Sequence, residues 1–193
     1  MGEGHMIDCK PDKADRVDAA GLQAFVSRIV SDHEGKEIIY LCIGTDRSTG
    51  DSLGPLVGSL LEERGVAGVM GTLRIPCDAN TLPRLAKTLP DDAIIVAIDA
   101  CLGRAESVGL FLASRGPLVP ARSVNGGFGA IGTYSIAGVV NENSLKPYWT
   151  LQSTSLYRVM RMAGEIADAI ASAVARQASQ YFKSNAERMG AYE

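Results

Sequence analysis

The chain contains 193 residues, 46% of them hydrophobic, and carries a formal net charge of −3 at pH 7. That length and apolar content fit a single domain with a buried core. The charge balance lacks the basic excess that would neutralise a nucleic-acid backbone or hold an anionic membrane, so neither is expected as a partner.

Cysteine usage and hydropathy indicate the compartment. The sequence has no C-x-x-C pair among Cys9, Cys42, Cys77 and Cys101, which is typical of a reducing environment. No apolar run approaches the roughly 20 residues that span a bilayer, and no export signal is visible near residue 1. We therefore expect a cytoplasmic protein.

The first part of the chain alternates between helix and strand patterns. We expect residues 1–14 to form a flexible arm. The apolar spacing over Leu22–Val30 predicts a helix, and the continuous apolar run Ile38–Ile43 predicts a strand covered on both faces. A second helix is predicted over Leu53–Leu61, with Pro55 in its first turn, where the missing N–H costs nothing.

The alternation continues through the middle of the chain. A short strand is predicted over Val69–Ile75, a helix over Leu82–Leu89 and a second buried strand over Ala93–Ile98, which ends at Asp99. Strands that alternate with helices in this way predict an α/β fold with a parallel sheet.

The pattern changes after Asp99. Val108–Leu112 and Thr133–Val140 are predicted strands, and the Pro- and Gly-rich segment between them indicates antiparallel additions at an edge of the sheet. The long helix that follows is predicted to bury one apolar face, formed by Leu156, Val159, Met160, Ala163, Ile166, Ala167, Ile170 and Val174. We expect residues 15–180 to form the single domain and residues 181–193 a polar tail.

Two polar segments follow the predicted buried strands. Gly44–Ser52 contains no apolar side chain and leads into a helix, while Asp99 directly follows an apolar run. Ligands of open parallel sheets bind outside the carboxyl ends of strands, so Asp51 and Asp99 are candidate catalytic residues. Burial is expected to raise the pKa of Asp99, whereas the helix N-terminus is expected to keep Asp51 ionised. Two carboxyl groups in opposed environments can act as acid and base in a hydrolysis without a covalent intermediate.

Structural roles would account for the same residues. Asp51 could cap the helix, and Asp99 could accept hydrogen bonds from loop amides. Asp46 and Arg47 could form a local ion pair or hold the loop, or they could contact a substrate. Spacing alone leaves these interpretations open beside the catalytic one.

Two nucleotide-binding motifs are disfavoured. Gly44–Ser52 occupies the position of a P-loop, but its glycines are too widely spaced and Asp51 replaces the essential lysine. Gly127–Gly132 satisfies G-x-G-x-x-G, yet it precedes a predicted strand, whereas the dinucleotide fingerprint follows a strand and opens a helix. We interpret Gly127–Gly132 as a loop at the rim of the site.

Cysteine and metal chemistry are also disfavoured. Cys101 lies near Asp99, but neither His5 in the arm nor His33 at a helix end has a route to it, so a buried structural cysteine is expected. No His/Cys cluster has the spacing of zinc ligands. We predict no metal site and no resident cofactor, although a hard divalent ion held by the carboxylates stays open.

The two polar motifs are similar to those of a known family. Ile43–Pro55 (I-G-T-D-R-S-T-G-D-S-L-G-P) and Ala97–Gly103 (A-I-D-A-C-L-G) resemble the YyaC-type sporulation proteases. The likeness extends over roughly residues 36–175, through Gly71–Leu73 and Gly138–Asn141. That family is similar to the germination protease of spore-forming bacteria and, more distantly, to hydrogenase maturation proteases.

The resemblance implies a three-layer αβα fold with a mostly parallel, twisted sheet, as in hydrogenase maturation proteases. It also implies that Asp51 and Asp99 match the two acids that these proteases use in catalysis or metal contact. Hydrogenase maturation proteases add a histidine to sense nickel, and neither His5 nor His33 falls at the matching position. The aspartate mechanism of germination protease is therefore the closer analogue.

Three functional hypotheses follow. The first is a cytoplasmic peptidase of sporulation or germination that uses Asp51 and Asp99 on protein or peptide substrates, with small acid-soluble spore proteins as candidates. Its substrate is expected to contact four residues of the first motif, namely Thr45, Asp46, Arg47 and Ser48. The second is a non-catalytic module that binds a peptide or small ligand in the same pocket. The third is a metal-dependent maturation endopeptidase. The sequence leaves the oligomeric state open.

Overall fold

A six-stranded sheet forms the centre of the molecule in the computed structural model, which describes residues 14–118 and 129–190. In chain order the strands are β1 (Asp15–Val17), β2 (Ile38–Cys42), β3 (Val69–Met70), β4 (Ile94–Gly103), β5 (Phe111–Arg115) and β6 (Tyr134–Glu142). The helices are α1 (Ala19–Asp32), α2 (Leu53–Glu63), α3 (Leu82–Ala86), α4 (Pro147–Gln152) and α5 (Leu156–Gly190). Across the sheet the strand order is β1-β5-β6-β4-β2-β3.

Most neighbouring strands of the sheet run parallel. β6, β4, β2 and β3 form successive parallel pairs, whereas β5 is antiparallel to both of its neighbours, β6 and β1. Among the strands described, β5 is therefore the one that runs in the reverse direction. The prediction of an α/β fold with a mostly parallel sheet is confirmed.

The two faces of the sheet are covered unequally. α1, α2 and α5 pack against one face, here called the three-helix face, and form the larger core with strand residues such as Ile98 and Ile136. The opposite face, here called the α3 face, carries a smaller cluster in which Leu82 of α3 joins Ile43 and Ala97. Helices thus lie on both faces, which gives the three layers that the family resemblance implies.

α5 buries most of the predicted apolar stripe, with Met162 added to it and Leu156 and Met160 outside it. The buried positions include Val159, Met162, Ala163, Ile166, Ala167 and Ile170. Leu156 and Met160, predicted to be buried, are 55% and 54% exposed. Met160 lies about 100° around the helix from Val159, at the margin of the buried stripe, and Leu156 is the first residue of the helix. The helix also continues to Gly190, through most of the segment predicted as a polar tail.

Several strand predictions are wrong in extent or position. β4 continues past Ile98 to Gly103, because β6 still pairs with it after β2 has ended. β6, predicted at an edge, lies in the interior of the sheet between β4 and β5. β3 is shorter than predicted because Gly71, with φ +89°, turns the chain towards β2, where a Cβ would lie 1.9 Å from the Cys42 carbonyl oxygen.

The sequence pattern does not indicate two of the short elements. β1 adds an edge strand just after the predicted arm, and α4 begins at Pro147 with Tyr148 and Trp149 exposed. The predicted arm, apart from Ala14, lies outside the described residues, as does the Gly127–Phe128 part of the rim loop. Within the described ranges, no helix is both long enough and apolar enough to cross a membrane.

Candidate active site

The first candidate aspartate lies in a tight loop between β2 and α2. A 3-10 turn over Gly50–Ser52 contains Asp51 and continues directly into α2. The loop returns to the end of β2, where the Thr45 amide donates a hydrogen bond to the Asp51 carbonyl oxygen (3.1 Å). Gly44 permits this approach, because its φ is +144° and a Cβ there would lie 2.0 Å from the same oxygen. The loop therefore places Asp51 beside the carboxyl end of β2.

The sequence had predicted Asp99 at the end of a strand, whereas Asp99 lies within β4. β2 pairs with β4 only as far as Ile98, whereas β6 pairs with Asp99 through Ala137 and continues beyond it. Asp99 is thus the first residue of β4 past the end of β2, where the loop of Asp51 leaves the sheet. Its side chain lies on the α3 face, because Ala97 belongs to the cluster of that face and the intervening Ile98 to the other.

The two carboxyl groups interact electrostatically. Burial is the main cause that raises the pKa of Asp99 to about 7, and the charge of Asp51 raises this pKa further. The Ala100 amide, which donates a hydrogen bond to the Asp99 carboxylate (2.7 Å), opposes the shift. Burial also raises the pKa of Asp51, and the Ser48 hydroxyl opposes that shift. Both aspartates keep part of their surface exposed, so solvent reaches them. The structure therefore brings acids from the two separate motifs into one partly desolvated site.

The environment of Asp51 differs from the predicted one. Ser52 is the N-cap of α2, and Asp51 caps neither α2 nor the 3-10 turn. Asp51 is therefore not a helix cap, and burial raises its pKa without the opposing N–H donors that were expected from a helix N-terminus. α4 packs on this turn, since Leu151 lies so close to Gly50 that a Cβ there would be 2.8 Å from its Cδ2 atom.

Ser48 contributes a buried hydroxyl beside this pair. The residue is only 6% exposed, and its Oγ atom makes no well-formed hydrogen bond within the described parts of the chain. It nevertheless lies close enough to Asp51 to lower the pKa of that carboxyl group. A buried hydroxyl without a fixed partner can reorient to donate to the Asp51 carboxylate or to a bound molecule.

Arg47 joins the loop of Asp51 to the segment that follows β3. Its guanidinium binds Asp78 (3.1 Å), and its backbone and Nε N–H groups both donate to Thr45 Oγ1 (3.3 Å each). Arg47 thus holds the loop, as one interpretation of the sequence expected, but it pairs with Asp78 and not with Asp46, which is exposed. Asp78 was missed by the sequence reasoning, although a D-x-x-T pattern marks its turn, where it accepts the Thr81 amide (3.0 Å).

Two thiols flank Asp99 on the α3 face. Cys77 bridges to Ile43 at the end of β2, and Cys101 follows Asp99 on β4. Burial, with the charges of Asp78 and Asp99, raises the pKa of Cys77 to about 12. Burial and the charge of Asp99 raise the pKa of Cys101 to about 12. Both thiols stay protonated at neutral pH, which makes them poor nucleophiles.

The described residues offer neither a histidine nor a metal cluster at this site. His33 hydrogen-bonds the Tyr134 hydroxyl (3.0 Å) at the start of β6, away from Asp99, and His5 lies outside the described residues. Over residues 14–118 and 129–190, no group of three or more His, Cys, Asp or Glu side chains is placed to hold a metal ion.

Comparison with known proteins places the chain in a family. Residues 12–169 match the family described as "Protein of unknown function (DUF1256)", and the chain belongs to it. A relative from Bacillus subtilis (strain 168), described as the uncharacterized protein YyaC, is 39% identical over 165 residues, which cover 81% of this chain and 78% of the relative. This confirms the family that the two motifs indicate.

Two solved structures are also similar to this chain. The NiFe hydrogenase maturation protease HycI from Thermococcus kodakarensis KOD1 matches with a TM-score of 0.46 and 19% identity over 74% of this chain and 98% of that protein. The maturation protease HybD from Thermococcus kodakarensis matches with a TM-score of 0.43 and 17% identity over 70% of this chain and 99% of that protein.

The raised pKa of Asp99 predicts a pH-dependent change in stability. Its folded-state pKa of about 7 exceeds the ordinary value of 3.8, so the wild type loses stability as the pH rises from about 4 to about 7. Asp99→Asn cannot ionise and should raise the free energy of unfolding at pH 8 by roughly 1–3 kcal/mol, with little change at pH 4. Urea unfolding at both pH values measures this.

The exposed Asp92 provides the matched control. Asp92→Asn should change the free energy of unfolding by less than about 0.5 kcal/mol at either pH. If Asp99→Asn were equally neutral at pH 8, the Asp99 carboxyl group would not be desolvated in the folded protein.

Proposed function

We propose that this protein is a peptidase in which Asp99 and Asp51 act as acid and base on a water molecule and a peptide bond. One observation carries the proposal. Two aspartates from motifs far apart in the sequence share a partly buried site, and the pKa of one of them is about 7. A carboxyl group with this pKa can hold or release a proton near neutral pH, as acid–base catalysis requires.

The roles follow from the two environments. Ionised Asp51 takes a proton from water as the water oxygen attacks the carbonyl carbon, while protonated Asp99 donates its proton to the carbonyl oxygen. The resulting gem-diol then collapses: Asp99 takes back a hydroxyl proton, Asp51 gives its proton to the amide nitrogen and the C–N bond breaks. Both carboxyl groups return to their starting states, and no covalent intermediate with the protein forms.

Ser48 and Arg47 fit supporting roles in this proposal. The unpaired Ser48 hydroxyl can orient the ionised Asp51 or hold the attacking water. Arg47, whose side chain is 73% exposed, is available to a substrate carbonyl or carboxylate. Thr45 holds Arg47 in place, and exposed Asp46 lies where it can contact a substrate of positive charge. The family resemblance suggests protein substrates in sporulating or germinating cells, with small acid-soluble spore proteins first among them.

Direct assay of cleavage tests the proposal. The purified full chain is incubated with small acid-soluble spore proteins and with a complex peptide mixture from pH 4.5 to pH 9, and new termini are identified by mass spectrometry. Cleavage should decline as the pH rises above about 7, because Asp99 then loses the proton it must donate. It should also decline on the acid side, where Asp51 takes up a proton.

The other two hypotheses appear as alternative outcomes of the same assay. Peptides that bind but stay intact at every pH would favour a non-catalytic binding module. Stoichiometric metal in the wild type that is absent from Asp51→Ala and Asp99→Ala would favour a metal-dependent maturation factor, and elemental analysis measures it. Neither outcome is compatible with the acid–base mechanism as written.

A further inference from the structure

A row of paired residues crosses the α3 face from Asp99 to the β1 edge of the sheet. Asp99 pairs with Ala137 of β6, Ala137 pairs with Leu112 of β5, and Leu112 pairs with Arg16 of β1. Directly paired residues project from the same face of a sheet. The strand register therefore aligns Asp99 and Arg16 on one surface, three strand spacings or about 14 Å apart.

The floor between these two residues is shallow and partly exposed. Leu112 and Ala137 keep part of their surface accessible, as does Cys101, which follows Asp99 on β4. Their neighbours on the three-helix face, including Phe111 and Ile136, are completely buried. Within the described ranges, α1, α2 and α5 lie on the opposite face. The accessible surface of Leu112, Ala137 and Cys101 therefore leaves room for an extended chain on the α3 face.

The far end of the row opens into a groove of about 690 Å³ that holds two arginines. Arg16 and Arg104 line it together with Asp15, Ser107 and Asn143. An Arg16 Nη1 N–H donates to Ser107 Oγ (3.3 Å), which holds the arginine against the groove wall without neutralising it. Arg104 lies 3.8 Å from Glu106, but its side chain is 84% exposed, so this contact is weak.

Charge is therefore distributed unequally along the surface. The end near the candidate site carries carboxyl groups, with Asp51, Asp78 and Asp99 close together. The far end carries the two arginines beside Asp15 and Glu106, and guanidinium groups bind carboxylates with directional, charge-assisted hydrogen bonds. A ligand that spans both ends can therefore place a carboxylate on these arginines.

We infer that the groove lined by Arg16 and Arg104 binds a carboxylate of the peptide substrate, about four residues from the bond at Asp99. The spacing follows from the distance of about 14 Å and a rise of about 3.4 Å per residue in an extended peptide. This inference rests on the proposed function for the position of the bond. The carboxylate is that of an Asp or Glu side chain or that of a free C-terminus.

Binding to an inactivated protein tests the groove separately from catalysis. The probes are fluorescein-labelled eight-residue peptides of Ala, Gly and Ser with an amidated C-terminus, in which one Glu or one Gln occupies each position in turn. A further probe has neutral side chains and a free C-terminal carboxylate. Fluorescence anisotropy with the full-length Asp99→Asn chain measures Kd for every probe, so that cleavage cannot change the probes.

We expect at least one carboxylate probe to bind about tenfold more tightly than its neutral counterpart. Arg16→Gln and Arg104→Gln, combined in the Asp99→Asn background, should reduce that ratio to about one. Arg28→Gln and Arg176→Gln, combined in the same background, remove the same number of positive charges from the exposed surfaces of α1 and α5 and should leave the ratio unchanged. Comparison of Kd for the Glu probes with Kd for the probe that has a free C-terminus shows whether the groove prefers a side-chain or a C-terminal carboxylate.

The results separate this inference from the proposed function. A ratio near one at all positions, a preference that survives the loss of both arginines, or no binding of any probe overturns the inference. Cleavage by the wild type without any carboxylate preference overturns it as well and leaves the peptidase proposal intact. Carboxylate preference without cleavage by the wild type supports the groove and contradicts the peptidase proposal.

Discussion

Asp51→Asn and Asp99→Asn are each expected to lower kcat/KM for peptide cleavage by about 10²–10⁴-fold, the usual contribution of a positioned acid or base. Asparagine keeps the size and the hydrogen-bonding oxygen of the side chain but cannot carry the proton. The two variants should not be additive, because acid and base act in the same step. Initial rates on an identified substrate, measured with each single and the double variant, give the comparison.

Folding must be shown to be intact in these variants. Their melting temperatures should equal or exceed that of the wild type, since each change removes a partly buried carboxyl group whose pKa is raised. Asp92→Asn, at an exposed position in the turn before β4, should retain full activity. Activity in Asp51→Asn or Asp99→Asn within threefold of the wild type would exclude the acid–base pair as the catalytic machinery.

Gly54→Ala is expected to lower the free energy of unfolding by about 1–3 kcal/mol, and by more if the surroundings cannot relax. Gly54 lies in the first turn of α2, and a Cβ there would be 2.0 Å from the carbonyl oxygen of Ile43 at the end of β2. Relief of that contact requires α2 to move away from the strand. Because Asp51 lies just before α2, activity should fall together with stability.

Gly164→Ala is the matched control within the helices. Gly164 lies in α5, and an added Cβ would meet no atom within 4 Å. Alanine is favoured over glycine in a helix, so this variant should be unchanged or more stable by up to about 1 kcal/mol. Urea unfolding compares the two. Equal effects of Gly54→Ala and Gly164→Ala would show that helix propensity, and not the contact with Ile43, determines the result.

Elements with a strong local pattern were predictable from the sequence. β2 and the first half of β4 are continuous apolar runs, and α1 and α2 have regular apolar spacing. Boundaries that depend on a distant partner were not predictable in this way. β4 continues beyond Ile98 only because β6 pairs with it there, and nothing in residues 99–103 alone reports that pairing. The interior position of β6 is likewise a property of the assembled sheet.

The same distinction between local pattern and distant partners applies to the candidate site. Asp51 and Asp99 stood out because each polar residue follows a buried strand, and the structure brings their charges together. The raised pKa of Asp51 was not predictable, since its burial depends on tertiary packing that the local sequence does not report. Asp78 was missed for a similar reason: its partner Arg47 comes from a loop 31 residues away in sequence.

The interior position of β6 constrains the order in which the chain can complete its fold during synthesis. Residues 134–142 emerge from the ribosome after β4 and β5, yet they must insert between those two strands. Until they arrive, the β4 edge has unpaired N–H and C=O groups that could recruit strands from other chains. The pairing of Asp99 with Ala137 is likewise absent until residues 134–142 arrive, so the surroundings of Asp99 are incomplete throughout this interval.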